Sequence, residues 1–339
     1  MERRKNKIAN KRKSLRQKMN EFVLDLKYLE LKLLGKYATT YCYFLPREVQ
    51  IEVTTICNLM CSWCEVSKRK VKATQQIEMD VIKPLIKSSK GVNSIRFVGV
   101  GETLLYKDIV EIVKFSKKYI PNVSVVTNGT FLDKSMIKQL GEAGLSSIAI
   151  SIDGGDEDMC IRTKGESLHK VLESIKNITE LTNIKVDVWS ILCKENFESL
   201  KKLPGLLKPV GVDRLSFHHL EGSYETTGFH RLEEDSQSVK EFIDYMTIKR
   251  NELKINIYLD YLLIKKNNLR IFDMCLHPFS VAVFNVNGLL SQCCMLRSGL
   301  KEIDILSLRQ AWNSKEMRNF RLNLIKKRYP QSCQACGYK

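Results

Sequence analysis

The run Val49-Gln50-Ile51-Glu52-Val53-Thr54-Thr55-Ile56-Cys57-Asn58-Leu59-Met60-Cys61-Ser62-Trp63-Cys64 decides how this chain is read. Its first six residues alternate apolar and polar and are rich in β-branched side chains, which predicts a strand. The cysteines then sit on the loop leaving the strand's C-terminal end, where α/β barrels place their active sites. Their C-x3-C-x2-C spacing supplies three thiolates and leaves a fourth metal position open. Structural zinc ordinarily takes four ligands, and no second knuckle pair follows for some two hundred residues. Soft thiolates with one vacant corner suit a cubane iron-sulfur cluster, with zinc as the alternative.

Downstream, residues 94–98, 123–129, 147–154, 184–189 and 214–217 read as further strands, several ending in small polar residues. Between them lie segments of helical periodicity at 106–119, 133–143 and 167–181; in the first, Ile109, Ile112, Val113 and Phe115 share a face. Strands alternating with helices imply a parallel sheet, and six such units predict an α/β fold built on a partial, open (β/α)6 TIM-like barrel.

The cysteine loop and the strand ends together resemble the radical SAM superfamily. The resemblance implies that Cys57, Cys61 and Cys64 hold a [4Fe-4S] cluster whose fourth iron binds S-adenosylmethionine (SAM). One electron then cleaves SAM to a 5′-deoxyadenosyl radical. Trp63 matches the aromatic residue that packs near the adenine. Gly99-Val100-Gly101-Glu102-Thr103 is similar to the family's Gly-Gly-Glu-Pro segment, with Val100 and Thr103 as departures; Gly101 and Glu102 would meet the SAM amino group. Asn128 and Ser151 match strand ends that approach its ribose and methionine parts, and Arg162 matches an arginine facing its carboxylate. Taken singly, each of these polar residues also suits a turn or a helix cap.

A second constellation lies near the C-terminus. Cys275 precedes a predicted hairpin at 281–293, whose Asn287-Gly288 pair is a strong turn signal. A helix containing Ala311, Trp312 and Met317 follows, and then Cys333 and Cys336. Four thiols in this order would also make a zinc site. Beside the first motif they resemble the SPASM/twitch extension of radical SAM enzymes. The one-cluster version is implied, with Cys275, Cys293, Cys333 and Cys336 holding an auxiliary [4Fe-4S] cluster. Cys293 is preferred to its neighbour Cys294 because Gly-x4-Cys is the family spacing.

The chain therefore divides into a basic arm and amphipathic helix (1–47), a barrel (48–225), a connecting helical region (226–270) and a small α+β cluster domain (271–339). The connecting region carries a charged helix at 235–254 and a short strand at 255–258. Among the remaining cysteines Cys193, following the fifth strand, is a candidate hydrogen-atom donor, although a buried cysteine is ordinarily an inert small hydrophobe. His218, His219 and Glu221 are expected after the sixth strand, where they would bind substrate or move a proton.

At 339 residues and 44% hydrophobic composition the chain can fill a barrel core and a small second domain. No apolar run reaches the length of a membrane span and no signal-peptide pattern opens the chain, so a cytoplasmic protein with reduced cysteines is expected. The net charge of +17 is concentrated at the start, where residues 1–20 carry nine Lys or Arg against one acid, Glu2. Behind them Phe22, Leu26, Leu29 and Leu33 predict an amphipathic helix at about 14–34. It either packs on the barrel or meets an anionic surface; no nucleic-acid motif accompanies the charge.

The expected function is reductive cleavage of SAM followed by hydrogen abstraction, serving oxidation or epimerisation of a sugar, aminocyclitol or other small substrate, with flavodoxin or ferredoxin as reductant. Crosslinking or epimerisation of a ribosomally made peptide is the alternative, and a non-catalytic, zinc-binding basic interaction protein is a third.

Overall fold

The computed structural model describes residues 39–64, 75–220, 228–232, 236–259, 262, 275–294, 307–330 and 333. The strand expected before the cysteines forms as β1 (Glu48–Ile51). Then follow α1 (Met79–Ser88), β2 (Ser94–Phe97), α2 (Ile109–Ser116), β3 (Asn122–Thr127), α3 (Lys134–Glu142), β4 (Ser147–Ser151), α4 (Glu157–Lys164), α5 (Leu168–Leu181) and β5 (Lys185–Leu192). Two short helices, α6 (Phe197–Leu200) and α7 (Leu203–Leu207), lead to β6 (Arg214–His219). The chain continues through α8 (Gln237–Leu253), β7 (Ile257–Tyr258), α9 (His277–Ser280), β8 (Val281–Phe284), β9 (Leu290–Ser291), α10 (Leu308–Trp312) and α11 (Lys315–Ile325).

All described strands belong to one sheet of order β7-β6-β5-β4-β3-β2-β1-β8-β9. Pairings from β7 to β8 are parallel; only β8 and β9 pair antiparallel. One face is apolar: Ile51, Phe97, Val125, Ile150, Val188 and Phe217 are buried and share a core with Ile86, Ile112, Ile137 and Ile175 of the helices. Burying each such side chain contributes about 1.5–3 kcal/mol before the entropy of ordering is set against it.

The other face is polar and curls inward. The Arg96 guanidinium of β2 lies 5.0 Å from the centre of the Trp189 ring of β5, although β3 and β4 stand between those strands. In a flat sheet three strand spacings would separate them by about 14 Å. The contact therefore requires a strongly curved sheet, a partial barrel with Arg96, Trp189 and His218 inside. His218 adds its ring 5.5 Å from that of Trp189, and Glu48 pairs with Arg96 at 3.1 Å.

The helices stop and start where their caps dictate. Asp156 accepts the Met159 N–H at 3.0 Å to open α4, and Gly165, at φ 75°, closes it in a left-handed conformation that glycine adopts without strain. The single helix expected through Ala311, Trp312 and Met317 is instead two, α10 and α11. Asn313 breaks it by bonding both backbone groups of Cys42, accepting at 2.7 Å and donating at 2.9 Å. Ser314 then caps α11 by accepting the Met317 N–H. Arg321 of α11 is fully buried and donates to the Pro278 and Thr40 carbonyls, pinning the chain that enters β1 to the C-terminal helices.

Three further placements differ from expectation. His218 and His219 lie within β6 rather than after it, because the ladder with β5 runs on through Ile191 and Leu192. Strand β7 adds a seventh parallel strand to the barrel sheet. The C-terminal hairpin is also not set apart, since β8 pairs with β1 along its whole length. The amphipathic helix expected at 14–34 lies outside the described residues, as do Glu221 and Cys336.

Candidate active site

The cysteine loop leaves β1 between two backbone rails. On one side the Thr55 N–H donates to the Gln75 carbonyl at 2.9 Å. On the other, the Gly101 N–H donates to the Thr54 carbonyl at 3.2 Å and the Glu102 N–H to the Ile56 carbonyl at 2.8 Å. This approach admits only glycine at 101: a Cβ there would collide with the carbonyl oxygens of Thr54 and Ile56. Further along, Ser62 docks the loop on the end of α4, its N–H donating to the Thr163 carbonyl at 3.1 Å and its hydroxyl to the Arg162 carbonyl at 3.3 Å. Asn58 accepts from the Asn128 side chain and donates to the Thr130 hydroxyl, both at 3.0 Å, tying the loop to the end of β3.

The thiols of Cys57 and Cys61 are shifted by their surroundings. Burial pushes the Cys61 thiol up to about 12; Lys164 opposes the shift, while Asp153, Cys64 and Cys57 add to it. Burial likewise raises Cys57, with Glu102 and Cys64 contributing. Thiolates this reluctant to form need a cation to hold their charge, and metal binding displaces their protons. Among the described residues no three His, Cys, Asp or Glu side chains converge on a single metal-ion position. Three soft donors on one loop, spaced by three and two residues, have the chemistry that the wider [4Fe-4S] group takes.

Glu102 is buried and straps the strand ends together. One carboxylate oxygen accepts from the Thr127 hydroxyl at 2.5 Å and the Leu104 N–H at 3.0 Å. The other accepts from the Asn128 N–H at 2.7 Å. Burial pushes its carboxyl above the usual range, against the pull of those hydrogen bonds. Asn128 itself reaches Asn58, so both residues expected near SAM are anchored beside the cysteine loop.

The feature missed in the sequence is Lys164, which lies at the centre of the site. Its ammonium, 3% exposed, donates to the Ser151 carbonyl at 2.5 Å, the Ser151 hydroxyl at 2.7 Å and Glu166 Oε1 at 2.8 Å. Burial raises the carboxyls of Asp153 and Glu166, and the Lys164 charge counteracts it at each. Burial in turn pulls Lys164 down, but the Glu166 and Asp153 charges outweigh it and leave the amine charged. Glu166 Oε2 is buried without a hydrogen-bond partner among the described residues. Lys164 is the last residue of α4, where a lysine is ordinary, so the sequence carried no signal for it.

Trp63 stacks edge-on against Phe229 at 5.0 Å, and the exposed Arg162 lies 5.6 Å over the other ring of that pair, Phe229. Cys193, fully buried, joins Leu220 and Phe229 in a small apolar cluster that Trp63 and Ile191 flank. Burial pushes its thiol up to about 12, so it remains protonated at neutral pH. His218 is pulled down to about 4 by burial, with Arg96 and His219 adding to the effect. Cys275, Cys293, Cys294 and Cys333 are each half-buried around the C-terminal hairpin and helices.

The sequence profile of the Radical SAM superfamily matches residues 51–207, and that of the SPASM iron-sulfur cluster-binding domain matches residues 275–337. The chain belongs to the radical SAM superfamily and carries a SPASM-type C-terminal region, so [4Fe-4S] clusters and SAM are its cofactors. Fe-coproporphyrin III synthase of Methanosarcina barkeri is 30% identical over 195 residues, which cover 55% of this chain and 48% of that protein. A probable GTP 3′,8-cyclase of Thermoplasma volcanium is 27% identical over 226 residues, covering 60% and 65%. The chain thus spans about half to two-thirds of these curated relatives. In fold it is similar to Streptococcus suis SuiB bound to its precursor peptide SuiA, with a TM-score of 0.69 at 16% identity over 93% of this chain and 73% of that one. Among the described residues no helix is long and apolar enough to cross a membrane.

Proposed function

We propose that this protein is a radical SAM enzyme that abstracts a hydrogen atom from a small polar substrate held inside the barrel, for oxidation or epimerisation. When bound, the cluster on Cys57, Cys61 and Cys64 supplies the electron for reductive cleavage of SAM. The chain's own contribution is placement. Gly101 lets the loop approach, Glu102 and Asn128 brace it, and Ser151 with Arg162 offers donors to the SAM carboxylate. Cys275, Cys293, Cys333 and Cys336 would hold the auxiliary cluster, which favours an oxidation, and flavodoxin or ferredoxin would serve as reductant.

The observation that carries the small-substrate reading is the polar lining. Arg96 is held by Glu48 through one guanidinium nitrogen and is 27% exposed beside Trp189 and His218. Such a wall supplies hydrogen bonds to hydroxyl, amino or carboxyl groups at close range. A peptide substrate is the second reading, favoured by the fold shared with the peptide-bound SuiB structure. A contact of the basic N-terminal arm with an anionic surface is a further part of the proposal.

The test is formation of 5′-deoxyadenosine from SAM by anaerobically reconstituted protein with dithionite, against a Cys57→Ala, Cys61→Ala, Cys64→Ala variant. Turnover by the wild type alone supports the reaction. Deuterium transfer into 5′-deoxyadenosine from labelled aminocyclitols or from labelled peptides then separates the two substrate readings. A cluster-loaded protein that never cleaves SAM overturns the proposal.

A further inference from the structure

The environment of Ser151 is unusual in that its hydrogen-bonding direction is fixed from behind. Lys164 Nζ has three protons, and all three are used: on the Ser151 carbonyl, the Ser151 hydroxyl and Glu166 Oε1. The hydroxyl therefore accepts from an ammonium, at 2.7 Å. Among the described residues its own proton reaches only the Thr127 carbonyl, at 3.5 Å, the outer limit of a hydrogen bond. An oxygen that accepts from a cation is a polarised donor, and its proton is free for a stronger acceptor.

The surroundings keep this arrangement in one state. Lys164 and Glu166 are 3% and 4% exposed, and Asp153, fully buried, adds a second negative charge to the same ammonium. Asp153 is itself held by the Ile191 N–H at 2.7 Å. A lysine so enclosed cannot swing out to bind a ligand directly. Its hydrogen bonds reach a ligand only by way of Ser151, beside the field it exerts on the cysteine loop.

We propose that Lys164 is a positioning residue that locks Ser151 as a hydrogen-bond donor to the SAM carboxylate. The inference rests on the radical SAM reading and assigns to this chain a Lys164–Glu166 support behind one of its SAM contacts. A carboxylate is the acceptor that profits from a donor backed by a buried cation, because hydrogen bonds to a charged group are about twice as strong as neutral ones.

The test is a cycle of SAM dissociation constants, measured by anaerobic equilibrium dialysis on cluster-loaded protein. The proteins compared are wild type, Ser151→Ala, the pair Lys164→Met with Glu166→Gln, and all three changes together. Glu166→Gln accompanies Lys164→Met to remove the carboxylate that bonds the amine directly, while Asp153 keeps its hydrogen bond from the Ile191 N–H. Ser151→Ala and the pair should each weaken SAM binding about tenfold, as expected for one hydrogen bond to a charged group. The triple variant should bind no more weakly than Ser151→Ala alone. The pair Lys164→Gln with Glu166→Gln, which keeps an N–H for Ser151 without the charge, should retain affinity within about threefold. Thermal melting of the cluster-free proteins checks folding, and if the Met pair does not fold, the pair Lys164→Leu with Glu166→Leu takes its place with the same expectation of a tenfold loss. Wild-type affinity in the Met pair, full additivity in the triple variant, or a tenfold loss in the Gln pair would each overturn the proposal. Failure of the wild type to bind SAM would instead overturn the radical SAM reading.

Discussion

Glu102 and Asn128, on the loops that follow β2 and β3, are joined by a hydrogen bond of 2.7 Å from the Asn128 N–H to the buried carboxylate. The same carboxylate holds Thr127 and Leu104 through its other oxygen. Both oxygens must accept, which an amide cannot satisfy. Glu102→Gln is therefore expected to destabilise the cluster-free protein by about 1–3 kcal/mol. Urea denaturation followed by circular dichroism measures it, and a loss below about 0.5 kcal/mol would show that the strap does not bear on stability.

Gly101→Ala places a methyl group against the Thr54 and Ile56 carbonyls, both backbone atoms that cannot rotate away. The cysteine loop must shift, so the expected result is a loss of at least half of the iron and sulfide bound per chain after reconstitution. Gly205→Ala is the control, since a Cβ there would meet nothing within 4 Å. Equal iron in the two variants would contradict the close-packed loop.

His218 introduces a pH dependence. Its folded pKa of about 4 lies below the ordinary 6.5, so between those values the unfolded chain binds the extra proton and stability falls as pH falls. The loss begins below about 6.5 and levels off near 4, and the full shift corresponds to about 3 kcal/mol. His218→Asn should flatten this part of the profile, measured as the difference in unfolding free energy from wild type across that range. An unchanged slope would mean that the imidazole is not sealed in the barrel wall.

Cys293 and Cys294 adjoin the end of β9, and both are half-buried. The four-residue spacing from Gly288 selects Cys293. Cys293→Ala should remove one cluster's worth of iron, and Cys294→Ala should leave the iron content unchanged. The reverse pattern would reassign the ligand.

The strands of the barrel were legible because their burial alternates with the period of a pleated sheet; in β5 every second residue, from Val186 to Leu192, is buried. The cysteine loop was legible because chemistry demands its spacing. The link between Lys164 and Ser151 was not, since it depends on how α4 lies against β4, which no local pattern encodes. The break at Asn313 was hidden for a similar reason. Asn313 leaves the helix in favour of Cys42, which lies 271 positions away in sequence. Arg96 and Trp189 meet only because the sheet curls, and a list of strands is silent on curvature.

The pairing of β8 with β1 bears on how this protein can be dissected. Without the C-terminal segment, β1 would present a row of unpaired backbone donors and acceptors, a template on which a second chain could add a strand. Glu52 would also lose the Val286 N–H, which it now accepts at 3.3 Å while holding the Val100 N–H at 2.9 Å. A truncated barrel should therefore be prone to edge-to-edge self-association, and insolubility of such a fragment would reflect its uncovered margin rather than any defect in its own core.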